Sequence, residues 1–191
     1  MVLLDGHSLL VGSNSVGKST VCEALELILG PERMFRRPVV DEHHFYGGCY
    51  RAEGVELPEI RLEVVLTGLT PAAERRFGPH LRPWSDGLND FADGEGGGLE
   101  QADASQWCLP VVFLGRYDPQ EDDFFGETFF SHPVDSADRL GEGAVQLGAG
   151  LRPFTSRGQA AVRVLVPAAQ PDGEQSAVVP VWFVAGHHCA A

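Results

Sequence analysis

The stretch Gly12-Ser13-Asn14-Ser15-Val16-Gly17-Lys18-Ser19, followed directly by Thr20, matches G-x-x-x-x-G-K-[ST] at every position. The two glycines let the backbone curl so that successive N–H groups face one point, and a helix starting beyond them turns its positive end to the same point. Such a cradle suits the β-phosphate of a nucleotide. Lys18 is a flexible point charge for the β- and γ-phosphate oxygens, and the Ser19 hydroxyl is placed to ligate the Mg²⁺ that bridges them. Residues 12–20 are therefore the expected nucleotide-binding residues, with Ser19 also the metal ligand.

Outward from the loop, residues 8–11 (Ser-Leu-Leu-Val) are a short apolar run that reads as a strand, and Val21, Leu25, Ile28 and Leu29 recur at helical spacing. Gly30-Pro31 stops that helix. Strand, glycine loop and helix in this order are the context the motif requires. In Glu59-Ile60-Arg61-Leu62-Glu63-Val64 polar and apolar residues alternate, giving a strand with one buried and one wet face, as in an antiparallel sheet. Thr70-Pro71 starts a second helix carrying Phe77 and Leu81, which Pro79 keeps short. Residues 86–105, rich in Asp, Glu and Gly, read as a mobile surface insertion. Residues 107–114 form a further strand that Pro110 pushes toward a sheet edge, and Asp118-Pro119 marks the next turn.

The 191 residues, 43% of them hydrophobic and 9% aromatic, suffice for one soluble globular domain with a core. Fourteen basic residues against 27 acidic ones leave a net charge of −13, which excludes a broad phosphate-neutralising surface within the chain. Cys22, Cys49, Cys108 and Cys189 include no C-x-x-C pair, so neither a zinc site nor a dense disulfide framework is indicated. The opening residues have no basic n-region and no long apolar run, so no signal peptide or membrane span is expected and the chain is assigned to the cytoplasm.

Other constellations carry less chemistry. Val39-Val40-Asp41-Glu42 imitates an acidic strand end, but two apolar residues are too few for a central strand and a turn or helix start is expected. His43-His44 reads as exposed polar residues, and the carboxylates Glu121-Asp122-Asp123 as a solvated turn. No G-x-S-x-G, H-E-x-x-H or paired C-x-x-C motif is present, which removes the corresponding hydrolase, zinc-protease and redox classes.

The loop opening Gly12-Ser13-Asn14, the helix Cys22-Glu23-Ala24-Leu25-Glu26-Leu27, Leu29-Gly30-Pro31-Glu32-Arg33, Asp41-Glu42-His43-His44-Phe45-Tyr46 and residues 117–124 together resemble the OLD family of ATP-dependent endonucleases, over roughly residues 1–155. The resemblance implies ATP and Mg²⁺ as cofactors and an ABC-type ATPase head related to SMC and RecF proteins, in which two heads sandwich ATP ahead of a Toprim nuclease domain. It further implies homo-oligomeric intact relatives, and contact with DNA only through the intact family member. In such heads a hairpin precedes the loop, so it is expected to be clipped here. The Walker B strand, signature motif, switch histidine and Toprim carboxylates are expected beyond Ala191, leaving no catalytic residue to assign and very slow hydrolysis.

The expected fold class is α/β: a partial P-loop NTPase of ABC ATPase-head type with an antiparallel β portion, spanning residues 1–158. Residues 159–191 form a divergent tail whose change of composition reads as a reading-frame shift; Arg163 to His188, read one nucleotide later with permitted codons, can give a text that looks like an OLD-family continuation. The alternative is a genuine strand pair, residues 162–166 with 177–184, turning at Pro171-Asp172-Gly173. The leading functional expectation is an ATP-binding N-terminal piece of an OLD-like nuclease. The alternatives are a truncated product without function, which cooperative unfolding would argue against, and a different small P-loop NTPase, which would need a downstream acidic strand or base-reading motif.

Overall fold

Alternation of apolar and polar residues builds the centre of the sheet. In the computed structural model the described residues are 2–5, 11–14, 17–30, 39–51, 57–92, 106–133, 151–154 and 178–184, with backbone alone for 2–5 and 178–184. Strand β2 (Glu59–Leu66) turns Leu62, Val64 and Leu66 into the core and leaves Arg61 and Glu63 partly exposed on its other face, where they form a 2.6 Å ion pair. The expected one-sided strand is found, and its last turn of sequence, Val65, is buried on the opposite face too.

The remaining strands are β1 (Val2–Asp5), β3 (Arg82–Ser85), β4 (Asp90–Phe91), β5 (Gln106–Asp118), β6 (Asp123–Phe130), β7 (Arg152–Pro153) and β8 (Val178–Val184). They form one eight-stranded sheet in the order β1-β8-β2-β5-β3-β4, with β6 also on β5 and β7 on β6. Every pairing among the described residues is antiparallel. Mixed helices with an antiparallel sheet is thus the observed architecture.

Helix α1 (Lys18–Leu29) and helix α2 (Pro71–Phe77) pack into one core with the same sheet face. Ala24, Leu27 and Ile28 of α1 and Ala73 and Phe77 of α2 meet Leu62, Val64 and Leu66 of β2, Leu109, Val111 and Phe113 of β5, and Phe130 of β6. Both helices stop where their sequences dictate. Gly30 closes α1 by donating its N–H to the Glu26 carbonyl, and the Thr70 hydroxyl caps α2 by accepting from the Ala73 amide. Beyond Phe77 the chain tightens into a 3₁₀ turn, Gly78–His80, before Leu81, as Pro79 requires. The opposite sheet face holds two smaller apolar clusters, Val112, Leu114 and Phe129, and Val65, Trp84 and Cys108.

Several sequence expectations need correction. Pro110 does not sit on an edge strand: β5 runs between β2 and β6. The reason lies in which way its backbone points. A strand residue aims its N–H and C=O to the same side, and the Pro110 carbonyl accepts from the Ser131 amide, just past the end of β6. The missing proline donor therefore falls at the end of that ladder, while the β2 ladder does not use it. The strand ahead of the glycine loop is residues 2–5, which pair with β8; Val11 lies in no strand and is 82% exposed, and residues 8–10 lie outside the described residues. Residues 86–92, expected within a mobile insertion, form a turn and β4, where Phe91 packs edge-on to Trp84 and under the Arg82 guanidinium. Residues 93–105 lie outside the described residues. Of the alternative reading of the tail as a strand pair, 162–166 with 177–184, residues 178–184 are a strand lying between β1 and β2, and 162–166 lie outside the described residues.

One contact limits substitution in the core. Gly115 and Gly126 face each other across β5 and β6, and the Phe113 ring lies over the pair together with Val40. A Cβ at Gly126 would stand 2.7 Å from Phe113 Cζ. Gly126→Ala is expected to destabilise the fold by about 1–3 kcal/mol through overpacking, measured as a lower midpoint in urea. The same substitution made together with Phe113→Leu should cost clearly less than the sum of the two single changes.

Candidate functional site

The glycine loop leads straight into α1, and that junction defines the site. Gly17 is the N-cap with φ 87° and ψ 13°, a left-handed conformation that glycine adopts without the penalty a side chain incurs. No side chain caps the helix, and its first turn holds no acidic residue. The first intrahelical bond is the Val21 amide to the Gly17 carbonyl, at 3.1 Å. The amides of Lys18, Ser19 and Thr20 therefore point out of the helix start without a partner among the described residues, at the positive end of twelve aligned peptide units.

Lys18 folds back over the loop. Its Nζ donates to the Gly12 carbonyl at 2.8 Å and to the Ser13 carbonyl at 2.6 Å. Gly12, Ser13, Asn14, Gly17, Ser19 and Thr20 are all exposed. The structure thus brings Gly12, Ser13 and Lys18 into contact and places Ser19 and Thr20 in the first turn of α1. Ser15 and Val16 lie outside the described residues. Chemically, the arrangement offers one ammonium, unpaired amides and a hydroxyl on a solvent-facing surface, a donor set for an anion.

Asp41, Glu42, His43 and His44 do not form a strand end. Asp41 caps the 3₁₀ turn Glu42–His44: its carboxylate accepts from the His43 amide at 3.0 Å, and the His44 ring sits 2.8 Å from the same oxygen. His43 is almost fully exposed. Burial pushes the Asp41 carboxyl up, but the hydrogen bonds to His44 and the His43 amide outweigh it and hold the group below its ordinary value. Among the described residues no cluster of three or more His, Cys, Asp or Glu could hold a metal ion. Cys22, Cys49 and Cys108 are not in disulfides, and among the described residues no helix is long and apolar enough to cross a membrane.

A second polar cluster was not visible in the sequence. Arg51 Nη2 donates to the Tyr117 hydroxyl at 2.6 Å and to Asp122 Oδ1 at 3.0 Å, and the Tyr117 hydroxyl donates to the same carboxylate oxygen. The guanidinium lies over the rings of Tyr50 and Tyr117, 5.4 and 4.8 Å from their centroids. The hydrogen bond to Asp122, with burial second, raises the Tyr117 pKa, and the bond to Tyr117 raises that of Arg51. Phe45 and Tyr50 pack on Phe124, 5.9 and 5.0 Å between centroids. Segments 41–51 and 117–124 therefore meet at the β5–β6 turn. Arg51 is 66 positions from Tyr117, so no local spacing could have announced the contact.

No family model, curated protein or solved structure matches this chain.

Two outcomes follow from these geometries. Gly17→Ala is expected to strain the loop by about 1–2 kcal/mol and to weaken any anion bound there, which parallel melts and titrations would register. For Asp41 the folded-state pKa is depressed, so its contribution is present above the unfolded-state value near 3.8 and lost as pH falls through the folded value. Asp41→Asn, which keeps the cap, should lower Tm near neutral pH, with the gap from the parent closing as the pH drops below that range.

Proposed function

We propose that this chain binds Mg-ATP at residues 12–20, as the ATP-binding region of an OLD-like ATP-dependent endonuclease built on a P-loop NTPase head. The observation that carries the reading is the junction at Lys18: an ammonium held over the loop backbone, a left-handed glycine and an uncapped helix start in one place. With no capping side chain on this exposed helix start, the amides of Lys18, Ser19 and Thr20 are accessible to an anion beside the Lys18 ammonium. The residues fit the group. The amides and Lys18 would hold the β- and γ-phosphates and the Ser19 hydroxyl the Mg²⁺, which would supply charge neutralisation at the phosphate oxygens.

On this reading Lys18 exchanges the carbonyls of Gly12 and Ser13 for phosphate oxygens when nucleotide arrives, trading neutral acceptors for charged ones. Nucleotide binding joins two heads and thereby licenses a nuclease domain, so DNA is met only through the intact assembly. The net charge of −13 is consistent with a chain that does not itself grip a nucleic-acid backbone.

The test is calorimetric titration of Mg-ATP into the full chain and into Lys18→Ala, with a thermal melt of each. Saturable binding by the parent and a loss of about tenfold or more in the variant, the size of a charge-assisted hydrogen bond, is the expected result, with Tm nearly unchanged because the side chain is on the surface. A folded parent that ignores Mg-ATP, or a variant that binds it equally well, would refute the proposal.

A further inference from the structure

We propose that Thr128, on β6, is a positioning residue for the phosphate loop: its hydroxyl fixes where the far end of α1 rests, and the helix carries that direction to the loop amides. The proposal rests on the reading of residues 12–20 as the phosphate site. Helix α1 divides into two unequal supports. No residue from Lys18 to Glu23 is buried, whereas Ala24, Leu27 and Ile28 are. The half that would meet the ligand is therefore held by the half that does not. Its first amides stand at the end of a lever about 9 Å long beyond Ala24, so a tilt or slide at Ile28 moves them too.

Apolar contacts set which face of α1 meets the sheet, but they are non-directional. Thr128 adds a direction. It is buried on the core side of β6, opposite Phe113 in the register, and its hydroxyl donates to the Ile28 carbonyl. Ile28 is fully buried in the last turn of α1, where carbonyls have no further helical amide to accept from. A buried carbonyl costs free energy unless it is bonded, which favours the helix pose that keeps this donor in reach. The donor is itself held in the sheet. The Thr128 carbonyl accepts from the Phe154 amide at 2.7 Å, β5 flanks the residue on its other side, and the Phe154 ring packs on Phe130 and Phe77. At 3.4 Å the hydroxyl bond is long. Its contribution to stability is accordingly small, and its effect is on where the helix end rests.

The test compares the full chain with Thr128→Val, which keeps the branched side chain and removes the hydroxyl, and with Thr128→Ser, which restores it. Ser85→Ala removes another buried hydroxyl, on β3, and serves as the control for stability alone. Residual dipolar couplings of the Lys18, Ser19 and Thr20 amides, set against those of β5 in the nucleotide-free chain, read the direction of the helix start. Calorimetric titration of Mg-ATP and a melt accompany each. In Thr128→Val the couplings of these three amides are expected to change, Mg-ATP to bind about two- to thirtyfold more weakly, and Tm to fall by only about 2–4 °C. Thr128→Ser should return couplings and affinity to the parent's values, and Ser85→Ala should leave both in place. Unchanged couplings in Thr128→Val, no rescue by serine, or the same change in Ser85→Ala would overturn the proposal. A folded parent that does not bind Mg-ATP refutes the reading of the site instead, and the couplings then decide the positioning claim alone.

Discussion

The seating of α1 on the β2–β5 face is the constraint from which the site's geometry follows. Ala24, Leu27 and Ile28 lie on the same apolar surface as Leu62, Val64, Val111 and Phe113, and the helix cannot rotate or slide without taking them out of that core. Because Lys18 opens the same helix, burial at its far end fixes the direction in which its first amides point. The Thr128 hydroxyl ties the far end further by donating to the Ile28 carbonyl at 3.4 Å. The loop itself is exposed and loosely supported, so its orientation is inherited from the helix and not from packing of its own.

The other end of the sheet is organised by aromatic rings. Phe113 lies across the Gly115–Gly126 pair, and beyond it Tyr117 and Phe124 face Phe45 and Tyr50. Val40, fully buried against Phe113 and the two glycines, pins the segment that carries this group. The 3₁₀ turn capped by Asp41 then directs the chain so that Arg51 arrives over the rings. Glycine at 115 and 126 is thus required for space: neither position has a positive φ, and the ring occupies the volume a side chain would need.

What the sequence made legible was local. The span of α1 and its stop at Gly30, the cap at Thr70, the short α2 ended by Pro79 and the one-sided β2 all follow from periodicity and turn chemistry within a few residues. The reading failed where a remote partner decided the outcome. Pro110 looked like an edge residue because its tolerance depends on where β6 ends, which no property of residues 107–114 reveals. The turn or helix start expected after Val39-Val40 is the 3₁₀ turn that Asp41 caps, whereas the burial of Val40 beside Gly115 and Gly126 had no local signal. Lys18 was singled out by its motif, whereas Arg51 had no signal, since its partners come from the β5–β6 turn.

The central claim is that the start of α1 is an anion site. Amide chemical shifts of the ¹⁵N-labelled chain, followed as Mg-ATP is added, address it residue by residue. The account predicts that the amides of Gly17, Lys18, Ser19 and Thr20 move most, because unpaired donors there gain phosphate acceptors, while those in the middle of β5 stay in place. Shifts confined to other parts of the chain, with these amides unmoved at saturating nucleotide, would contradict it.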